Sequence, residues 1–364
     1  MHSAEGSYIL SASRRCKRLH PFPDARVTPR RIVNERAPTL LDVAQHAGVS
    51  TATVSRVLNG GPVRDTTALR VRNAVHDLGY LPNQVARGLA TGRSDVVGIL
   101  APDLVGPLNA AIARGVEDAL ESRGMHAVVM TDHRDASRER ARIRTLLARR
   151  VDGLILIGSQ LGDDDLADLV GATPIVHVGS ERNEMHPTYP EVRVDNEGGM
   201  ARVLERLARL GHRSIAHLAG PRRDGAERRD AIERLAPSFG LTLRRIVDTD
   251  FSEEGGYLAG LTLLEDPQVS AVLCANDRSA VGLYRAARER GRRLAHDLTV
   301  VGFDDLPWSA YLEPPLATLR QPSRDMGRIA AERLLDDPSY ETWSGVRSVL
   351  PNLVERASLA PPSP

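Results

Sequence analysis

From Ser94 to Asp305 the chain alternates short apolar runs with segments of helical length, and this alternation constrains the fold more than any other feature. Runs rich in Val, Ile and Leu recur at 96–100, 126–130, 153–158, 174–179, 192–195, 214–220, 244–248, 271–277 and 298–305. Parallel strands need crossovers of about a dozen residues. The pattern therefore predicts βαβ units, an α/β class with parallel sheets and helices on both faces. Two units of similar size are expected, at about 95–193 and 194–320, with further crossovers after 320. Ligands of such sheets gather at the carboxyl ends of the strands.

Enzymatic motifs are missing from that frame. No GxxxxGK[ST] loop, no GxGxxG opening a helix and no GxSxG elbow occurs, and the histidines form no HxxxH pair. Asp163-Asp164-Asp165 falls at an expected helix start, where carboxylates favour the helix dipole rather than a metal. Neither catalysis, a metal nor a cofactor is expected. Two cysteines, Cys16 and Cys274, make no disulfide framework and fit a reducing cytoplasm. No apolar run follows the basic residues Arg14, Arg15, Lys17 and Arg18, and none reaches membrane-spanning length. Neither a secretory signal nor a membrane partner is expected.

Ahead of the alternation lies a different kind of sequence. Residues 1–37 lack any period, are punctuated by prolines and read as a flexible leader; 38–82 read as a helical head, and 359–364 as a tail. In TLLDVAQHA, Thr39 can cap a helix with Asp42 three residues on, and Leu40, Val43, Ala44 and Ala47 share a face. Gly48 breaks it, Ser50 caps a second helix over 51–58, and a third runs from about 65 to 78 with Leu69, Val75 and Leu78 spaced for packing. Helix, glycine turn, helix is the helix-turn-helix layout, although an ordinary helical hairpin shares the spacing. The second helix offers Thr51, Thr53, Ser55 and Arg56, small or basic side chains that approach base edges and phosphates closely. A net charge of +1 hides an asymmetry: residues 1–94 hold 14 basic and 6 acidic side chains, the remainder 34 and 41. A basic head on an acidic body points to a polyanionic partner.

At TLLDVAQHAGVSTATVSRVLNG and LGYLPNQVARGLATGRSDVVGIL the sequence resembles the LacI/GalR family of bacterial transcription regulators. The resemblance continues in order through VDGLIL, LGHRSIAHLAGP, ANDRSAVG, VVGFDDLPWSAYLEPPLATLRQP and LVERAS, and covers about 38–358. It implies a helix-turn-helix head joined by a hinge helix and linker, 83–94, to a two-subdomain body like that of periplasmic binding proteins, 95–358. It also implies a cytoplasmic homodimer, a repressor on a two-fold pseudo-palindromic operator. Thr39, Ser50, Thr51, Ala52, Thr53, Ser55, Arg56 and Asn59 would meet DNA in and beside the major groove. Asn83, Ala86 and Leu89 would do so from the hinge, with Leu89 wedged into the minor groove.

Between the subdomains the family binds a small effector. Carried over by position, Arg228, Asn276 and Asp304 would hydrogen-bond it, Phe251 would stack on it, and Arg229 is a weaker candidate. Carboxylate, amide and guanidinium beside an aromatic face suit a sugar or related polyol. Gly106-Pro107-Leu108-Asn109 stands where the family often has an aromatic, which argues against a flat aromatic ligand. Ala68 replaces a common arginine, and no heptad run follows LVERAS, so no C-terminal tetramer is expected. The competing reading is a solute-binding protein of sugar transport, which shares the body but lacks a basic DNA-binding head.

Overall fold

Thr39 opens the first helix with a reciprocal cap: its hydroxyl accepts from the Asp42 amide while the Asp42 carboxylate accepts from the Thr39 amide at 2.7 Å. The computed structural model describes residues 37–81, 92–181, 188–336 and 345–363. Helix α1 spans Leu40–Ala47, α2 Thr51–Leu58 and α3 Asp65–Asp77. Val43, Ala44, Ala47, Val54, Val71, Ala74 and Tyr80 form the buried core of this head. Leu69 departs from the packing expected of it: it is 61% exposed, and Val71 and Ala74 supply the buried face of α3. The helical turn places 71, 74, 75 and 78 together and carries 69 to the opposite side.

The body beyond Asn83 is a separate compact unit with two six-stranded sheets. The first is built from β1 (Val96–Ala101), β2 (His126–Thr131), β3 (Gly153–Ile157), β4 (Ile175–Val178) and β5 (Glu191–Val194). Between them run α4 (Pro107–Glu121), α5 (Ala136–Ala148) and α6 (Asp163–Val170). After β5 the chain crosses to the second sheet through α7 (Asn196–Arg209). There follow β6 (Ser214–Ala219), α8 (Arg222–Leu235), β7 (Thr242–Asp248), α9 (Glu253–Leu263), β8 (Ala271–Cys274), α10 (Asp277–Glu289), β9 (Thr299–Asp304) and β10 (Ala317–Arg320). Helix α11 (Ser323–Asp336) returns to the first subdomain, β11 (Val346–Val349) pairs with β5, and β12 (Asn352–Val354) pairs with β10.

The strand orders are β11-β5-β4-β3-β1-β2 and β12-β10-β9-β8-β6-β7. All pairs are parallel except β10–β12. Strands such as β3 and β4 are buried along their whole length, as sheets covered on both faces require. One core lies between the first sheet and α4 with α11, and continues between the second sheet and α7 with α8. The opposite faces pack against α5 and α6 in the first subdomain, and α9 and α10 in the second. Helices α4 and α11 meet backbone to backbone: a Cβ on Gly115 would lie 1.9 Å from the Arg324 carbonyl oxygen, and one on Gly327 2.0 Å from that of Ile112.

Candidate functional site: an interlobe cleft and an exposed helix

The carboxyl ends of both sheets converge on one cleft of about 280 Å³. The first subdomain contributes the segments after β1, β3 and β4, including Asp103, Asn109, Gly158, Ser180 and Glu181. The second contributes Arg222, Arg223 and Arg228 from α8, Phe251 after β7, Asn276 after β8 and Asp304 at the end of β9, while Gln321 comes from the crossover. The four residues expected around an effector, Arg228, Phe251, Asn276 and Asp304, thus line a single space. Arg229 does not line it; its guanidinium pairs with the Asp248 carboxylate.

Each of the four is held by its neighbours. Arg228 is 3% exposed, donates from Nε to Asn196 Oδ1 at 2.9 Å and from Nη1 to the Ala275 carbonyl at 2.6 Å, and lies over the Phe303 ring. Burial pulls its pKa down. Asn276 caps α10: its Oδ1 accepts from the Ser279 amide at 2.8 Å and its Nδ2 donates to the Phe251 carbonyl at 3.1 Å. That bond ties the loop bearing Phe251 to the start of α10. Asp304 accepts from Gln321 Nε2 at 2.6 Å. Burial, and then the charge of Asp277, push its pKa up to about 8, against the pull of Arg228 and Gln321. Near neutral pH this carboxyl can hold its proton and both donate and accept.

The aspartates around Asp304 do different work. Asp277 accepts from the Leu306 amide, Ser309 Oγ and Thr318 Oγ1 at 2.8, 2.6 and 2.5 Å, which fixes the segment after β9. Asp305 binds Arg320 Nε at 2.6 Å and Arg356 Nη2 at 2.7 Å. Arg222, Phe251, Asp304 and Asp305 all have left-handed backbones, with φ of 66°, 68°, 119° and 57°. Non-glycine residues pay strain there, and such strain collects at ligand sites.

Across the cleft, two arginines of α8 reach acids of the first subdomain. Arg223 Nη1 lies 3.1 Å from Glu191 Oε1, with both side chains buried, and Arg222 Nε lies 3.1 Å from Glu181 Oε1. Arg134 binds the same Glu181 oxygen. Sequence reasoning missed these residues, because their partners lie more than thirty residues away and only the fold brings them together. The RR pair opening α8 was the available signal.

In the head, Thr51, Ala52, Arg56 and Asn59 are exposed, Thr53 and Ser55 half-buried, and Val54 faces inward. Ser50 Oγ accepts from the Thr53 amide, the Ser50 and Thr53 hydroxyls are 2.9 Å apart, and Asn59 Nδ2 donates to Ser55 Oγ at 3.3 Å. The hydroxyls of Thr39 and Ser50 serve as helix caps. Helix α2 thus presents one polar, partly basic surface on a packed support. Asn83, Ala86 and Leu89 lie outside the described residues. Among the described residues no helix is long and apolar enough to cross a membrane, and no cluster of His, Cys, Asp or Glu could hold a metal ion.

Residues 39–83 match the model of bacterial regulatory proteins of the lacI family, and 204–359 that of the periplasmic binding protein-like domain. The HTH-type transcriptional regulator CelR of Thermobifida fusca is 36% identical over 330 residues, covering 86% of this chain and 96% of that protein. The Lac repressor dimer bound to operator and the anti-inducer ONPF superposes with a TM-score of 0.81 at 30% identity, covering 89% of this chain and all of the other. A CelR–cellobiose complex superposes with a TM-score of 0.64 at 34% identity, covering 88% and 99%. A head with an exposed polar helix, a two-sheet body with a polar cleft and these matches over most of the chain agree: the chain belongs to the lacI family of bacterial transcriptional regulators.

Proposed function

We propose that the protein is a cytoplasmic, dimeric repressor whose grip on a two-fold operator is set by a sugar or related polyol in the interlobe cleft. The observation that carries this reading is the convergence of Arg228, Asn276, Asp304 and Phe251 at the carboxyl ends of the second sheet. The cleft arginines support an uncharged ligand. Arg134 and Arg222 share Glu181, Arg223 is paired with Glu191 and Arg278 with Glu253, so protein carboxylates offset much of this positive charge, and Arg228 already donates to the neutral Asn196 and Ala275. Asp304, holding its proton near neutrality, adds no charge of its own. The CelR–cellobiose complex supports a carbohydrate, and the Lac repressor dimer on operator supports two-fold DNA recognition.

In this reading α2 enters the major groove, with Thr51, Ala52, Thr53, Ser55 and Arg56 facing it. Thr39, Ser50 and Asn59 flank the backbone, and Asn83, Ala86 and Leu89 act from the hinge. The effector bridges the lobes and favours one relative orientation of them; its different affinity for the two orientations shifts operator binding, with coupling of about 1–3 kcal/mol. A transport protein would bind the sugar and ignore DNA.

The test selects bound fragments from genomic DNA, then titrates the complex with cellobiose, other glucosides, pentoses and polyols while following anisotropy of the labelled site. One sugar class should shift the operator affinity of wild type and leave Asp304→Ala on its operator unmoved. Selection that returned no two-fold site, or sugars that acted equally on both proteins, would overturn the reading.

A further inference from the structure

Phe251, the ring on which a sugar would stack, is already in use. The Arg222 guanidinium lies over it, 4.9 Å from the ring centroid. Gly220 packs against the same ring so closely that a Cβ there would come within 2.1 Å of Cε1. Arg222 does not hold this position alone. Its Nε lies 3.1 Å from Glu181, which belongs to the opposite subdomain, just after β4.

We propose that Arg222 is the gate of the effector cleft: Glu181 holds it over Phe251, and the incoming ligand displaces it from the ring and breaks this tie between the lobes. The proposal rests on the reading of Phe251 as part of the ligand site. Three features suit a gate better than a fixed staple. First, the Arg222 and Glu181 side chains are 37% and 20% exposed, so the pair is weak enough to open. Pairs of this kind shift an equilibrium by about two- to five-fold. Second, Glu181 keeps Arg134 when Arg222 leaves, so opening strands no buried carboxylate. Third, Arg223 stays tied to the buried Glu191, so α8 remains anchored while its first residue moves.

The gate links two events. A ligand that takes the face of Phe251 removes one cross-cleft contact and supplies its own, and the lobes can then settle at another angle. Arg222 is thus a positioning residue that makes occupancy of the ring visible to the other subdomain.

The chain has four phenylalanines, so the full-length protein labelled with 4-fluorophenylalanine gives few fluorine resonances. Phe251→Leu identifies the resonance of interest. Without any ligand, Arg222→Ala should move it, and Glu181→Gln, which does not touch the ring, should move it the same way. Phe239 should stay put in both. A Phe251 resonance unmoved by Glu181→Gln would overturn the gate.

Titration with cellobiose and the sugar panel forms the second arm. Glu181→Gln should bind the responding sugar about two- to five-fold more tightly than wild type. If the variant moves the ring and no sugar binds either protein, the gate stands and the sugar reading fails. If a sugar binds both proteins equally and the ring ignores Glu181→Gln, the gate fails and the sugar reading stands.

Discussion

Arg228 lies over Phe303, its guanidinium carbon 3.4 Å from the ring centroid. Phe303 is fully buried in the core of the second sheet, one residue before Asp304. The stack therefore joins the floor of the cleft to the hydrophobic core. Guanidinium planes are weakly hydrated and stack on aromatic faces, which lets arginine sit where lysine would not. The two hydrogen bonds from Arg228 then point its plane, one to α7 and one to the end of β8.

Arg228→Ala should accordingly harm both stability and ligand response. It leaves Asn196 and the Ala275 carbonyl short of a donor and empties the space over Phe303. Hydrogen bonds to charged groups are worth ~1.5–3 kcal/mol each, and a loss of about 3 kcal/mol is expected. Calorimetry should show the main transition fall by roughly 6–12 °C for a domain of this size. Arg228→Lys should recover little of this, since an ammonium neither stacks nor reaches both partners. Full recovery by lysine would rule out the stacking role.

Asp304 makes the stability of the ligand-free body depend on pH. Its pKa is raised from the usual 3.8 to about 8 in the folded chain. Between those values the folded state holds a proton that the unfolded state has lost, so stability falls as pH rises through that window. Asp277, raised to about 6 by burial, acts with the same sign. Asp304→Asn should therefore flatten the decline of melting temperature between pH 5 and 9 without abolishing it, and should gain on wild type as pH rises. Parallel curves for the two proteins would show that Asp304 is ionised throughout.

The contact between α4 and α11 predicts a sharp response to one methyl group. Gly115 is buried, and a Cβ there would lie 1.9 Å from the Arg324 carbonyl oxygen, a backbone atom that cannot rotate away. Gly115→Ala must push α11 outward. Overpacking of this kind costs about 1–3 kcal/mol. Ala110→Ser, on the exposed side of the same helix, should stay within about 0.5 kcal/mol. Denaturant unfolding of the two variants compares them directly, and equal midpoints would mean that α11 is not seated as described.

The alternation of apolar runs and helices was legible because the central runs, those of β1, β3, β4, β8 and β9, are buried on both faces and composition alone marks them as strands, while the edge strands β2 and β7 are only half-buried. The Thr39–Asp42 cap was legible because it is purely local. Other features depend on the assembled fold. Val346–Val349 is exposed at its two central residues and becomes a strand by pairing with β5. Helix α8 begins at Arg222, two residues after the apolar run 214–220, and its first two residues reach acids of the other lobe, which no local pattern announces. The adjacent aspartates at the end of β9, Asp304 and Asp305, look alike in sequence. Only the placement of Arg320 and Arg356 around Asp305 leaves Asp304 to the cleft. The gate over Phe251 needed three segments to meet, 181, 222 and 251, and no periodicity carries that information.

The end of α2 offers DNA a basic side chain. Arg56 is exposed and has no ion pair among the described residues. Its stem is braced by the turn that follows: the Gly61 amide donates to the Arg56 carbonyl at 2.8 Å, and a Cβ on Gly61 would come 2.6 Å from Arg56 Cγ. The guanidinium is thus free at its tip and steadied at its base, which suits contact with a phosphate. Each phosphate contact adds about 0.9 to the slope of log affinity against log salt. In a dimer, Arg56→Ala removes two contacts, and the slope should fall by about 1.8. If the contact is to phosphate, affinity should drop by the same factor on the operator and on scrambled DNA; a bidentate contact to guanine would instead erode only the preference for operator. Gly61→Ala, which crowds the stem without removing the charge, should weaken operator binding less than Arg56→Ala does. Anisotropy titrations of both variants across a range of potassium chloride concentrations measure each quantity. Salt lines for Arg56→Ala parallel to wild type would remove Arg56 from contact with phosphate.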